Sequence, residues 1–167
     1  MKTHIKSALF GTFAVVLLPA VADAHDFPKG YFKMTTQFRE NANECLESRS
    51  LTTGPAFMDV CQRVSGQYWK AVPAGNGYFR LTTQFRENAQ ECLESNRPGK
   101  GASFMDQCQN VSGQLWKISH AGGEYFRLTS MFRENRNECL EGSRRDAGPI
   151  RMNKCSNVSG QLWRFEK

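Results

Sequence analysis

Histidine is scarce: His4, His25 and His120 are the only three in 167 residues. His4 falls in the leader described below and His25 follows it directly, so no Ser-His-Asp or Cys-His catalytic set is apparent. The cysteines lack C-x-x-C spacing and no histidine recurs with them, which removes the commonest structural zinc sites. His25 would offer copper a foothold only with His120 as partner, so no metal and no cofactor is expected. The chain has no extended Lys/Arg run, and nucleic-acid binding calls for a denser basic patch. Its longest apolar stretch, Ala8 to Leu18, is too short to span a bilayer comfortably.

That stretch has another reading. Lys2 and Lys6 form a positive n-region before it, and Ala22-Asp23-Ala24 after it is an A-x-A cleavage site. Residues 1–24 are therefore expected to be a removed signal peptide, leaving a secreted or periplasmic chain from His25 with no stable membrane insertion. Without Lys2, Lys6 and Asp23, the mature chain keeps 20 basic and 15 acidic residues, a mild and scattered positive charge. Such a balance suits a solvated basic face and is compatible with anionic polysaccharide.

What is abundant is repetition. Glu44-Cys45-Leu46-Glu47, Glu91-Cys92-Leu93-Glu94 and Glu138-Cys139-Leu140-Glu141 are three copies of one segment. Each is followed by a second cysteine (Cys61, Cys108, Cys155) and then by Gln67-Tyr68-Trp69, Gln114-Leu115-Trp116 or Gln161-Leu162-Trp163. Every landmark recurs after 47 positions, the mark of a repeat architecture. After a lead-in over 25–30, the repeats run 31–77, 78–124 and 125–167, in immediate succession, so one domain over 31–167 is expected. Export implies an oxidising compartment. Two cysteine pairings respect the repeat. Pairing within repeats (Cys45–Cys61, Cys92–Cys108, Cys139–Cys155) closes three short loops, whereas pairing between repeats needs one bond across nearly the whole domain, so the first is preferred. Each such loop contributes roughly 3 kcal/mol by the chain-entropy model.

Alternation through Tyr31–Phe38, with β-branched threonines, predicts a first strand in each repeat. Glu40–Asn43 reads as a turn and Glu44–Glu47 as a second strand, which suggests a hairpin between the two. A third strand is expected near Phe57–Val60 and a fourth over Gln67–Val72. Four strands in each of three repeats fall short of a propeller, which needs at least about four blades. They suggest a closed pseudo-threefold barrel of 12 strands, all-β, with Met58, Trp69 and their equivalents in its core. The basic triplets Lys33/Arg80/Arg127, Arg39/Arg86/Arg133 and Lys70/Lys117/Arg164 are expected to be surface residues or partners of acids such as Glu40 and Glu44.

A Cys-Leu-acidic strand, a second Cys and then Gln-x-Trp, in three tandem copies from Tyr31 to Trp163, resembles the ricin B-type β-trefoil lectins. The resemblance implies a β-trefoil with up to one shallow sugar site per repeat. It maps the hydroxyl-accepting acid onto Glu47, Glu94 and Glu141. It maps the lining side chains onto Phe57 and Asp59, Phe104 and Asp106, and Arg151 and Asn153, and the glutamine onto Gln67, Gln114 and Gln161. The chain departs from that pattern in three ways. Its acid is Glu where Asp is usual, its aromatic lies four residues before the second Cys, and Gly66, Gly113 and Gly160 occupy a position often held by Asn. The third repeat has no aromatic, which makes its site the weakest.

Chemically, ionised carboxylates accept from sugar hydroxyls and an aromatic ring covers a pyranose C–H face. The sequence therefore points to a secreted, non-enzymatic carbohydrate-binding protein whose partners are glycans, anionic ones included. The alternative is a β-trefoil without sugar sites that engages another protein, as an inhibitor, toxin accessory or envelope protein. A glycosidase reading of Glu47 and Asp59 is disfavoured, since a shallow site cannot exclude water.

Overall fold

In a computed structural model, residues 28–48, 54–95, 101–142 and 148–167 are described. The leader, with its cleavage site and His25, lies outside them. The first repeat contributes β1 (Lys33–Thr36), β2 (Glu44–Glu47), β3 (Phe57–Val60) and β4 (Trp69–Gly75). The second supplies β5 (Tyr78–Thr83), β6 (Glu91–Glu94), β7 (Phe104–Gln107) and β8 (Trp116–Gly122). The third supplies β9 (Tyr125–Ser130), β10 (Glu138–Glu141), β11 (Arg151–Lys154) and β12 (Trp163–Glu166). The chain is thus all-β with 12 strands, as expected, and each repeat carries its own disulfide: Cys45–Cys61, Cys92–Cys108 and Cys139–Cys155.

Six strands form one antiparallel sheet in the order β1-β12-β9-β8-β5-β4. Its two edges meet where Phe32 N–H donates to the Trp69 carbonyl (2.9 Å) and Trp69 N–H to that of Phe32 (2.8 Å), closing the sheet into a barrel. Closure leaves no long edge for another chain to pair with. The three hairpins β2–β3, β6–β7 and β10–β11 cover one end. They are locked around the pseudo-threefold axis by a cycle of backbone bonds. Ala56 N–H donates to Ser103, Ser103 to Ile150 and Ile150 back to Ala56, at 3.0, 2.8 and 3.0 Å.

The expected hairpin between the first two strands of a repeat is not formed. β1 pairs with β12, and β2 pairs with β3. The turn between β1 and β2 is a 3-10 corner, Glu40–Ala42, ended by Asn43 at φ 52°, a left-handed conformation that Asn tolerates. Thr35 Oγ1 donates to the Glu44 carbonyl (2.7 Å), and Arg39, 6% exposed, pairs with Glu44 at 3.0 Å. The equivalent Arg86–Glu91 and Arg133–Glu138 pairs brace the other two corners. The tight hairpin lies instead across the repeat boundary, where Asn76-Gly77 links β4 to β5 with both residues at positive φ, the pattern of a type I′ turn.

Inside, Trp69, Trp116 and Trp163 are fully buried with Leu46, Leu93, Leu140, Met58 and Met105, while Met152 packs against them half-buried. Each indole N–H donates to the carbonyl of the leucine in its own repeat, Leu46, Leu93 or Leu140, at 2.7, 2.8 and 2.8 Å. This satisfies the one polar atom a buried Trp carries. Trp116→Phe should strand the Leu93 carbonyl and leave a void, lowering stability by about 2–4 kcal/mol. Urea unfolding followed by circular dichroism measures the loss.

Candidate functional site

The carboxylates assigned to sugar contact lie at the ends of β2, β6 and β10. Antiparallel register sets Glu47 opposite Phe57 and Cys45 opposite Asp59. Opposed residues share a face, so Glu47, Phe57 and Asp59 stand on one side of the hairpin while Leu46 and Met58 face the core. The second repeat repeats this placement with Glu94 opposite Phe104 and Cys92 opposite Asp106. In the third, Glu141 faces Arg151 and Cys139 faces Asn153.

The glutamine of Gln-x-Trp joins each set from above. It does not begin the fourth strand, as expected, but closes a 3-10 turn, Ser65–Gln67 in the first repeat. Gln67 is fully buried, and its Nε2 donates to Glu47 Oε2 (2.7 Å) and to the Val60 carbonyl (2.8 Å). Its Oε1 accepts from Gln62 N–H at 2.7 Å. Gln114 holds Glu94 (2.9 Å), Gln107 and Gln109 in the same way, and Gln161 holds Glu141 (2.8 Å), Lys154 and Ser156. The glutamine therefore spends its amide on the protein and orients the carboxylate.

The glycine before it explains one departure from the lectin pattern. A Cβ on Gly66 would lie 2.8 Å from the Ser48 carbonyl oxygen, and one on Gly113 would lie 3.2 Å from Glu94 Cγ. The turn can thus close onto the end of the carboxylate strand, where Ser48 N–H donates to the Gly66 carbonyl at 2.9 Å. An asparagine at Gly66 would clash with backbone, and at Gly113 and Gly160 it would be tight, with a nearest contact of 3.2 Å.

The three sites are unequally open. Glu47 is only 2% exposed and Glu141 7%, whereas Glu94 is half-buried. Glu141 accepts from Asn153 Nδ2 (3.1 Å) as well as from Gln161. Glu47, Asp59 and Glu141 engage further partners. In the second repeat Glu94 Oε2 takes the Gln114 bond, and Asp106 Oδ1 accepts from Gln107 N–H at 2.8 Å. The second oxygen of each carboxylate has no donor among the described residues. Phe104 lies half-buried on the same face. Phe57 and Phe104 also sit beside the axial cap, bridging to Pro149 and Pro55 of neighbouring repeats. Arg151, in the third, is exposed. Among the described residues no group of acids, histidines and cysteines could hold a metal, and His120 Nε2 lies 2.8 Å from the Gly123 carbonyl.

No protein-family model matches the chain. No curated protein matches it either. Solved structures do. A designed threefold-symmetric protein, ThreeFoil, is 16% identical, superposes with a TM-score of 0.69, and covers 83% of this chain and 99% of its own. The fold is a β-trefoil. A Polyporus squamosus lectin bound to a human-type influenza-binding epitope is 15% identical over 85% of this chain and 50% of its own, with a TM-score of 0.69. The cytolethal distending toxin from Actinobacillus actinomycetemcomitans is 15% identical over 82% and 90%, with a TM-score of 0.65. In one longer match, a mosquitocidal holotoxin, the trefoil spans only 17% of the matched chain.

Sequence reasoning expected Lys70, Lys117 and Arg164 at the surface or beside acids such as Glu40 and Glu44, but it did not find that these pairs and three tyrosines join successive repeats. Tyr31 and Lys70 both bind Glu87; Tyr78 (2.7 Å) and Lys117 (3.3 Å) bind Glu134; Tyr125 (3.2 Å) and Arg164 (3.4 Å) bind Glu40. The hydrogen bonds from Lys70 and Tyr31 hold the Glu87 carboxyl below its ordinary 4.5. A folded-state value below the unfolded one means that this contribution is complete above about pH 4.5 and is lost as pH falls through the folded value. Unfolding midpoints measured from pH 7 down to pH 2 should therefore drop through that range. Glu87→Gln should flatten this part of the profile.

Buried groups should respond differently. Gln67→Ala would leave Gln62 N–H, the Val60 carbonyl and Glu47 short of a partner, for a loss of roughly 2–4 kcal/mol. Chemical denaturation of that variant beside the parent tests it.

Proposed function

We propose that this chain is a secreted, non-enzymatic carbohydrate-binding protein, and that the hairpin face of the second repeat is its principal site. One observation carries the proposal: Glu94 and Asp106 share a face with Phe104, and each carboxylate keeps an oxygen without a donor among the described residues. Two acceptors for hydroxyl donors beside a ring for the apolar side of a pyranose are the complement a sugar needs. Gln114 supplies rigidity, so the acceptor is oriented before the ligand arrives. The likeness to a lectin trefoil supports the reading. So do three disulfides, which fit an oxidising, extracellular setting. No helix among the described residues is long and apolar enough to cross a membrane.

A shallow site of this kind is weak alone, with a dissociation constant near millimolar, or about −4 kcal/mol. Sites in the first and third repeats, at Glu47, Phe57, Asp59 and Gln67 and at Glu141, Arg151, Asn153 and Gln161, would add avidity on a displayed glycan. Opening them requires the buried Glu47 or Glu141 to be uncovered, so they rank below the second. The same burial favours a second reading, in which the trefoil engages a protein and its sugar sites are closed.

A glycan array probed with the oxidised, secreted chain separates the two. Glu94→Ala should abolish retention with the circular dichroism spectrum unchanged and only a modest fall in the unfolding midpoint from loss of the Gln114 bond, whereas Glu47→Ala should lower stability more than retention. Retention that survives Glu94→Ala discards the second-repeat site. No retention on any neutral or acidic glycan supports the protein-binding reading.

A further inference from the structure

Six arginines among the described residues are buried or half-buried: Arg39, Arg80, Arg86, Arg127, Arg133 and Arg164. Four of them face carboxylates. Arg80 and Arg127, at equivalent places in the second and third repeats, form no ion pair among the described residues. Arg80 reaches only neutral oxygens, the Gln109 carbonyl (3.4 Å, from Nε) and Asn110 Oδ1 (3.2 Å, from Nη2). Arg127 donates from Nη2 to Asn157 Oδ1 at 3.1 Å, and its Nε is buried with no acceptor. A guanidinium has five N–H donors, so each retains several without a partner among the described residues.

Each of the two lines a groove on the outer face of a hairpin that joins successive repeats. The first, of about 340 Å³, is walled by Val72 and the Cys92–Cys108 disulfide, with Thr82 and Glu87 beside Arg80. The second, of about 450 Å³, has Ser119, Thr129 and Glu134 beside Arg127 against the Cys139–Cys155 disulfide. Both volumes fall within the range of small-ligand sites. The acids in the grooves do not neutralise the arginines. Glu87 is held by Tyr31 and Lys70, and Glu134 by Tyr78 and Lys117. The first-repeat counterpart differs at three positions: Lys33 replaces the arginine, Arg63 replaces the asparagine, and Glu166 replaces Val72 and Ser119. Glu166 binds Arg164 there, so that place carries its own counter-charge.

We infer that the Arg80 and Arg127 grooves are subsites for the acidic group of a glycan, a carboxylate or sulfate carried on a sugar ring. This inference rests on the carbohydrate-binding reading and specifies its ligand class. A planar fork of donors grips either oxyanion in bidentate fashion. The disulfide wall supplies a partly desolvated surface against which that bond is stronger than in open water. Ser119 brings a hydroxyl to the second groove, whereas Thr82 and Thr129 line the grooves with hydroxyls already donated to the Glu91 and Glu138 carbonyls (2.7 and 2.6 Å). The grooves lie at the Cys92 and Cys139 ends of their hairpins, away from the Glu94–Phe104 end, so an extended acidic glycan is the ligand that engages both.

The experiment is an ¹⁵N NMR titration of the oxidised chain, following the arginine Nε–Hε signals at constant ionic strength. The ligands are glucuronate, N-acetylglucosamine 6-sulfate, glucose and inorganic sulfate. Saturable shifts of Arg80 and Arg127 with the acidic sugars, stationary signals for the paired Arg86 and Arg133, and no response to glucose are expected. A preference for one acidic sugar assigns carboxylate or sulfate. Equal response to inorganic sulfate overturns the saccharide subsite and leaves a simple anion site. On the glycan array, Arg80→Gln/Arg127→Gln should weaken retention of acidic glycans at least tenfold and leave neutral glycans held through Glu94 unchanged. Acidic glycans retained equally by that variant, with unmoved arginine signals in the parent, overturn the inference while the carbohydrate-binding reading stands. Loss of all glycan retention by the parent overturns both.

Discussion

The structure depends on one two-sided grip. In each Gln-x-Trp the Trp enters the barrel beneath the Cys hairpin and donates to the central leucine carbonyl of its first strand. The Gln, two residues earlier, reaches over the outer face to the carboxylate next along that strand and to the backbone leading out of the second strand. The intervening residue turns the chain between these two directions. The hairpin is thus fixed from inside by an indole and from outside by an amide, while the disulfide ties its open end. A two-stranded ribbon is marginal alone in water. With these three attachments it becomes a rigid platform.

That rigidity has a consequence for recognition. The glutamine that orients the carboxylate also competes with any ligand for its oxygens. Whether a repeat presents an acceptor to solvent then turns on the remaining lone pairs. Glu141 gives one oxygen to both Asn153 and Gln161, so the third repeat has turned an acid that could accept from a ligand toward the paired strand and the turn beyond it. Glu94 has not, and its neighbour Asp106 is engaged by a single backbone N–H. Three copies of one motif therefore need not be three copies of one site. The scaffold tolerates the difference because the tryptophan half of the grip is the same in all three.

Much of this was legible in the sequence. The second and third strands stand where alternation and the cysteines placed them, at Glu44–Glu47 and Phe57–Val60, and the tryptophans are core residues. The within-repeat disulfides are those preferred in the sequence because the alternative required one bond across nearly the whole domain. What the pattern could not say is which copy of an element pairs with which. Period-two alternation marks Lys33–Thr36 as a strand but is silent on whether its partner is the next strand or β12, more than 120 positions away. Charge pairing was legible in part: the basic triplets were expected at the surface or beside acids such as Glu40 and Glu44, but not which acid each would take. Arg39 lies next to Glu40 in sequence, yet it pairs with Glu44 across the corner, and Glu40 is taken by Tyr125 and Arg164 of the third repeat. Asn76-Gly77 was a hairpin signal in plain view, masked by its place at the seam between repeats.

The inter-repeat contacts decide whether the trefoil acts as one body. Tyr31 binds Glu87, Tyr78 binds Glu134, and Tyr125 returns to Glu40, so each repeat holds the next and the last holds the first. A linear array could fray from its ends; a cyclic one has no end repeat. At the axis the Ala56–Ser103–Ile150 bonds make the same closure in backbone form. On the carbohydrate-binding reading proposed above, sites carried on such a ring would not drift relative to one another, and a glycan that reached one would meet the others at fixed distance and orientation. The effective concentration is then set by the ligand's flexibility and not by the protein's. If the proposed hairpin site and grooves bind as weakly as their shallow form implies, selective capture would need a frame of this kind, which the cyclic contacts between repeats supply.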